Sequence, residues 1–198
     1  EPVDQQAQFE EIPLKPGDLI SYYAETSDRN QTVQTDMFFI EIQGYNRRYS
    51  QSQLSGGGGG GGGGNPADEI SERQRQIVVS TWNLIRDQQN GEEAQVDINA
   101  SLLSDLQTTL AEQAQTLTER TRARQLTRQD EDIARFVESM ERAIQSMHPT
   151  ADYLASVELQ EAIQPAQEAL QYLLQAESVF TDMQISQQQG GGGGGGGG

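Results

Sequence analysis

The sequence predicts a mainly α protein: an acidic antiparallel bundle of three to four helices, or coiled-coil-like helices, preceded by a truncated antiparallel β fragment. Three observations predict it. Apolar residues alternate with a period of two within residues 7–43. From residue 65 onward they recur every three to four residues, the period of a helix with one buried face. Two runs of nine glycines, residues 56–64 and 190–198, hold 18 of the 21 glycines and frame the second region.

In the β region, Ile20, Tyr22 and Ala24 alternate with Ser21, Tyr23 and Glu25, and Phe38, Ile40 and Ile42 alternate with Met37, Phe39 and Glu41. The cluster Ser27-Asp28-Arg29-Asn30 reads as the turn between these strands. Residues 8–12 are a candidate third strand, before a turn at Pro16-Gly17-Asp18. Three strands cannot close a core, so residues 1–45 are expected to be the C-terminal strands of a larger β domain.

Residues 46–64 form a linker ending in polyglycine. Glycine loses the most backbone freedom on ordering and has no side chain to bury, so each tract is expected to be flexible, with a reach of roughly 15–18 Å.

The helical domain is placed at residues 65–189, with residues 190–198 a second linker. Asn65 caps the first helix, Pro66 stands at its first position, and Asp68 and Glu69 suit its positive end. Ile70, Ile77, Val78, Leu84 and Ile85 line this helix, and Asn90-Gly91 ends it. A second helix is expected from about Asn99 to Gln125, with Leu103, Leu106, Leu110 and Leu117 on one stripe. A third carries Ile133, Phe136, Val137, Met140, Ala143, Ile144 and Met147 and ends before Pro149. After a short element at 153–157, a fourth shows Ile163, Ala166, Leu170, Leu173, Leu174, Phe180 and Met183, with a kink or late start at Pro165.

One continuous helix over residues 99–148 is the alternative, but its two stripes would point about 130° apart. Thr127-Arg128-Gln129-Asp130 supplies a capping break, and Arg120, Arg122 and Arg124 suit a helix C-terminus, so an antiparallel hairpin is predicted.

Composition narrows the function. Leu, Ile, Val and Phe make up about a fifth of the chain, close to the level at which chains stop folding. The net charge of -17 disfavours nucleic acid and anionic membrane surfaces and suits a basic partner. With no cysteine, disulfides, thiol catalysis and thiolate metal sites are excluded. The longest apolar run, Met37-Phe38-Phe39-Ile40, is far short of the roughly 20 residues of a spanning helix. The first residue, Glu1, and the closing glycines read as the ends of a piece of something longer.

No catalytic, cofactor or metal-ligating residue is assigned, and the chain is read as non-enzymatic. His148, the single histidine, is taken as a solvated helix-end residue, because imidazole metal sites need two or more. Arg120, Arg124 and Arg128, four apart, could grip an anion, but Glu112, Glu119 and Asp130-Glu131-Asp132 neutralise them. Neither Asp130-Glu131-Asp132 nor Glu92-Glu93 has the alternating form of a calcium loop. Asp28 and Asn30 are turn formers. Trp82, spaced with Val78 and Ile85, is read as a core anchor. The 28 glutamines, including Gln74, Gln107, Gln113 and Gln167, make polar amphipathic helices suited to spacers or association surfaces. Gln113 would loosen a coiled-coil seam rather than forbid it.

Leu14-Lys15-Pro16-Gly17-Asp18 followed by Ile20-Ser21-Tyr22-Tyr23-Ala24 resembles the penultimate strand of fibronectin type III and related immunoglobulin-like domains. Many members place the corner tyrosine two positions earlier, where this chain has Ile20. Taken with Phe38-Phe39-Ile40-Glu41-Ile42, the glycine tract, Glu69-Ile70-Ser71-Glu72-Arg73-Gln74-Arg75-Gln76-Ile77 and Thr81-Trp82-Asn83-Leu84, the chain resembles a family of large bacterial proteins of unknown function, number four-one-seven-five of that series. The resemblance implies an envelope protein attached to the membrane elsewhere, and no chemistry. Two readings follow: a structural or interaction module that takes a protein partner or self-associates through its helices, and a helical sensor for a small ligand or basic peptide.

Overall fold

Each stretch with helical periodicity forms a helix because its apolar face meets another one. The computed structural model describes residues 13–15, 17–27, 32–42, 66–91, 93–125 and 131–190. Four short strands come first: β1 (Leu19–Tyr22), β2 (Glu25–Ser27), β3 (Thr32–Gln34) and β4 (Phe38–Glu41). Four helices follow: α1 (Pro66–Gln89), α2 (Glu93–Gln125), α3 (Glu131–Ala155) and α4 (Leu159–Gly190). Mainly helical structure behind a small antiparallel β fragment is what the pattern predicts.

The helices form a ring in which each touches two neighbours, α1 to α2 to α3 to α4 and back to α1. Contact is most extensive between α3 and α4 and least between α1 and α2. Every neighbouring pair is antiparallel, as the cross-helix contacts show. Arg73 bonds to Gln113, Ser104 to the Ala151 carbonyl, and Ser71 to Glu177, while Phe136 meets Phe180 at 5.7 Å between ring centres. This is an up-down-up-down bundle. The expected α2–α3 hairpin is present, and Arg122 pairs with Glu141 across it. The proposed break at 127–130 lies outside the described residues.

Large side chains fill the centre: Phe136, Met140, Met147, Leu154, Leu159, Leu170, Leu173 and Leu174 are at most 2 % exposed. Alanine supplies much of the rest of the core. Ala100, Ala114, Ala143, Ala162, Ala166, Ala169 and Ala176 have no exposed surface, and they let backbones approach where few large aliphatics are available.

Three helix limits differ from expectation. α2 starts at Glu93, six residues before Asn99, because Val96 and Ala100 already face the core. α3 runs through Pro149 to Ala155 instead of ending before it. A proline inside a helix costs about 3 kcal/mol through its missing N–H and ring clash. Burial of Thr150, Ala151 and Leu154 in the next turn offsets that cost, and the residue whose carbonyl loses its partner, Gln145, is exposed to water. Residues 153–155 accordingly belong to α3 rather than to a separate element. α4 begins at Leu159 and continues past Pro165, so no late start occurs. The Met183 side chain lies outside the described residues.

The connections follow turn chemistry. Gly91 (φ 87°) ends α1, as Asn90-Gly91 predicts. α3 ends in a Schellman motif, the Glu158 N–H bonding the Tyr153 carbonyl at 2.8 Å and the Val157 N–H the Leu154 carbonyl. The left-handed position usually held by glycine is occupied by Val157 at φ 60°.

The strands make two antiparallel pairs, β1 with β4 and β2 with β3, with Ile20 opposite Ile40, Tyr22 opposite Phe38 and Thr26 opposite Val33. The Ala24 N–H and the Thr35 hydroxyl, and the Thr35 N–H and the Ala24 carbonyl, tie the two pairs into one ribbon. Ser27, expected in the turn, closes strand β2, and β3 is a strand that the alternation does not predict. The candidate strand at 8–12, and Asp28 and Asn30, lie outside the described residues.

One face of the ribbon packs on the helices. Met37 joins the buried core, and Leu19 and Phe39 pack against it. Gln167 of α4 donates to Ser21 and to the Met37 sulfur, and Arg75 of α1 pairs with Glu41 at 3.7 Å. Trp82 of α1 donates its Nε1–H to the Thr35 carbonyl at 2.9 Å and lies 4.4 Å from the Tyr23 ring centre. Gly17, at φ 90°, lets the chain pass so close to α4 that a Cβ there would lie 3.1 Å from the Gln175 Cα.

Candidate functional site

Among the described residues, the histidine and the charged residues singled out from sequence do not gather into one site. His148 is exposed on α3. Arg120 is exposed on α2, whereas the Arg124 side chain and Arg128 lie outside the described residues. Asp132 pairs with Arg135 in the first turn of α3, Glu93 starts α2, and Glu92 and Asp130 are outside the described residues. Among the described residues no three His, Asp or Glu side chains group as metal ligands, and no helix is long and apolar enough to cross a membrane. Trp82 is buried as predicted, at 5 % exposure, and its second partner is the β ribbon.

A polar hollow sits where the Lys15–Asp18 turn meets α3 and α4, lined by Arg135, Glu138, Ser139 and Arg142. Its two arginines are already engaged. Arg135 is held by Asp132 and Arg142 by Glu138 at 2.7 Å, and the Arg142 guanidinium lies 5.7 Å from the Tyr172 ring centre. Hydrogen bonding to Tyr172 first, and the Glu138 charge second, raise the Arg142 pKa above its usual value.

Two features were not anticipated from the sequence. The first is a buried amide pair. Gln74 of α1 and Gln107 of α2, both 0 % exposed, donate to each other's carbonyl oxygens at 3.1 and 2.8 Å, and Gln74 also donates to the Ala166 carbonyl of α4 at 3.1 Å. Both side chains thereby escape the penalty for unpaired buried polar groups. The pair fixes how α1 and α2 slide past each other, as a polar core residue fixes register in coiled coils.

The second is a second apolar stripe on α2. Its inner face is Val96, Ala100, Leu103, Leu110, Ala111 and Ala114, all buried. Ile98, Leu102 and Leu106, spaced by four, are 66 %, 56 % and 48 % exposed, so Leu106 leaves the inner stripe to which its spacing assigned it.

Function has to be read from geometry. No family model, curated protein or solved structure matches the chain. The outer stripe borders the loosest seam of the bundle. There a cleft of about 470 Å³ opens between α1 and α2, lined by Ile77, Leu103, Leu106 and Leu110 with Arg73, Gln76, Ser80, Thr109 and Gln113 at its rim. A further hollow shares Arg73, Thr109 and Gln113 and runs on to Leu117 and Arg120. Together they make a groove along α1 and α2 with an apolar floor and a raised apolar edge. Such a surface can take an apolar face into contact.

Proposed function

We propose that this protein is a non-catalytic structural and interaction module that works by presenting a helical surface to another protein. One observation carries the reading: α2 has two apolar stripes, and only one is used by the fold. A helix that is solvated on its outer side carries polar residues there. Clustered exposed aliphatics beside an open groove mark an association site. The polar, glutamine-rich outer faces elsewhere suit a spacer. The resemblance to the bacterial family supports a parent held in the cell envelope by a membrane anchor outside this piece.

The groove supports a second reading, a sensor whose small ligand occupies the cleft beside Ile77 and Leu110. Photo-cross-linking in cells that make the protein separates the two. A cross-linker at position 102 is expected to yield a protein adduct, and one at Glu168 on the outer face of α4 none. Absence of any adduct, or equal adducts at both positions, would overturn the interaction reading.

A further inference from the structure

We infer that the outer face of α2, with the groove beside it, docks an amphipathic helix whose apolar side is flanked by Lys or Arg; this rests on the interaction reading above. The contact surface has the form a helix requires. Ile98, Leu102 and Leu106 recur every four residues, and Thr109 and Gln113 continue the same line over the groove. Residues 98–113 span roughly 24 Å, enough to meet four turns of an apposed helix.

Charge selects which helix. From Glu93 to Glu119, α2 carries five acids, Glu93, Asp97, Asp105, Glu112 and Glu119, and no Lys or Arg. At 100° per residue, Asp105 and Glu112 stand about 60° and 80° from Leu102 on the solvent side of the stripe. Both are exposed, and neither forms an ion pair among the described residues. The nearby cation, Arg73, is already occupied by the Gln113 carbonyl oxygen at 2.7 Å and by Glu69 at 3.8 Å. Arg120 lies at the far end of the groove.

A basic flank would therefore meet two unpaired carboxylates, in the field of a chain with net charge -17. A second copy fits poorly. Antiparallel self-pairing would set Asp105 and Glu112 against their own counterparts, and like charges across an interface cost affinity and slow encounter.

The test uses the full chain, isotope-labelled, titrated with three 18-residue peptides: an amphipathic Leu/Lys helix, the same helix with Glu for Lys, and a scrambled Leu/Lys sequence. The Leu/Lys helix is expected to bind and to shift amide signals of residues 95–113. Leu102→Gln/Leu106→Gln should weaken it by at least about tenfold, and Asp105→Asn/Glu112→Gln should weaken it and flatten its salt dependence. These four positions are exposed, so the fold is expected to survive in both variants.

Equal binding of the Glu or scrambled peptide would overturn the inference, as would Leu/Lys binding that ignores Leu102 and Leu106. Concentration-dependent shifts of the same amides without peptide, with a dimer in sedimentation, would also overturn it. That result would make the occupant a second copy and leave the interaction reading standing. If no peptide binds and the chain stays monomeric, the inference fails, and the cross-link at position 102 decides the broader reading independently.

Discussion

The Gln74–Gln107 pair makes a quantitative prediction, because hydrogen bonds are worth little when made and much when half broken. Gln74→Leu removes both amide bonds to Gln107 and the bond to the Ala166 carbonyl, and it leaves the Gln107 amide fully buried with no partner from α1. An orphaned buried polar group costs about 1–3 kcal/mol, and Gln107 presents two such atoms, so the single variant should lose roughly 2–6 kcal/mol. Gln107→Leu should lose a similar amount, since it orphans Gln74, less whatever the Ala166 carbonyl still satisfies. The double variant Gln74→Leu/Gln107→Leu orphans neither amide and fills the same volume with apolar atoms. It should fall within about 1 kcal/mol of the parent. The coupling is thus expected to be several kcal/mol and of the sign that makes the double better than the sum. Urea unfolding of the four proteins at constant m value measures it. If each single variant loses less than about 1 kcal/mol and the effects simply add, the amides are not sealed against each other and the register role assigned to them is wrong.

Three further outcomes follow from the same geometry. Spin labels at positions 103 and 144 should lie about 20 Å apart in the hairpin, against roughly 60 Å for one continuous helix, from the 1.5 Å rise per residue; a distance near the longer value refutes the bundle. Gly17→Ala combines a left-handed φ with a 3.1 Å approach to the α4 backbone, so it should weaken docking of the ribbon by about 2–3 kcal/mol. The single tryptophan, Trp82, then loses its cover, and its emission should shift to the red with greater iodide quenching; unchanged emission would show that the ribbon does not shield it. Val157→Gly should be close to neutral in thermal melts, because relief of about 1–2 kcal/mol of backbone strain offsets the lost burial of a partly exposed valine; a loss above about 2 kcal/mol would show that the left-handed conformation is not strained.

Much of the bundle was legible because its signals are local. Pro66, Asn90-Gly91 and the stripe from Ile133 to Met147 each announce an element through end-of-helix chemistry or periodicity that neighbouring residues share, whereas the cap expected at Asn65 lies outside the described residues. What stayed hidden depends on distant partners. Pro149 reads as a stop until Leu154 and Ala151 are seen to be buried beyond it. Leu106 reads as core because spacing alone cannot distinguish which of two overlapping stripes on α2 faces inward. The ribbon's contact with Trp82, Arg75 and Gln167 joins residues 34 to 146 positions apart across the glycine tract, and no short window of sequence contains both sides. The amide pair was visible only as two glutamines among 28. The candidate surface was the least legible part, since an exposed apolar stripe and a buried one have the same composition and period.

The buried alanines set the direction in which this fold is fragile. A core held together by large interlocking side chains is damaged chiefly by deletion, because a lost methylene leaves a hole. Here Ala100, Ala143, Ala162, Ala166 and Ala169 have no exposed surface, so damage comes from addition. One extra branch at such a position has no solvent to turn into and must strain side chains or shift the backbone. Genetic drift in this chain would then be filtered by size more severely than by hydrophobicity, with Ala→Ser tolerated at these buried positions where Ala→Val is not.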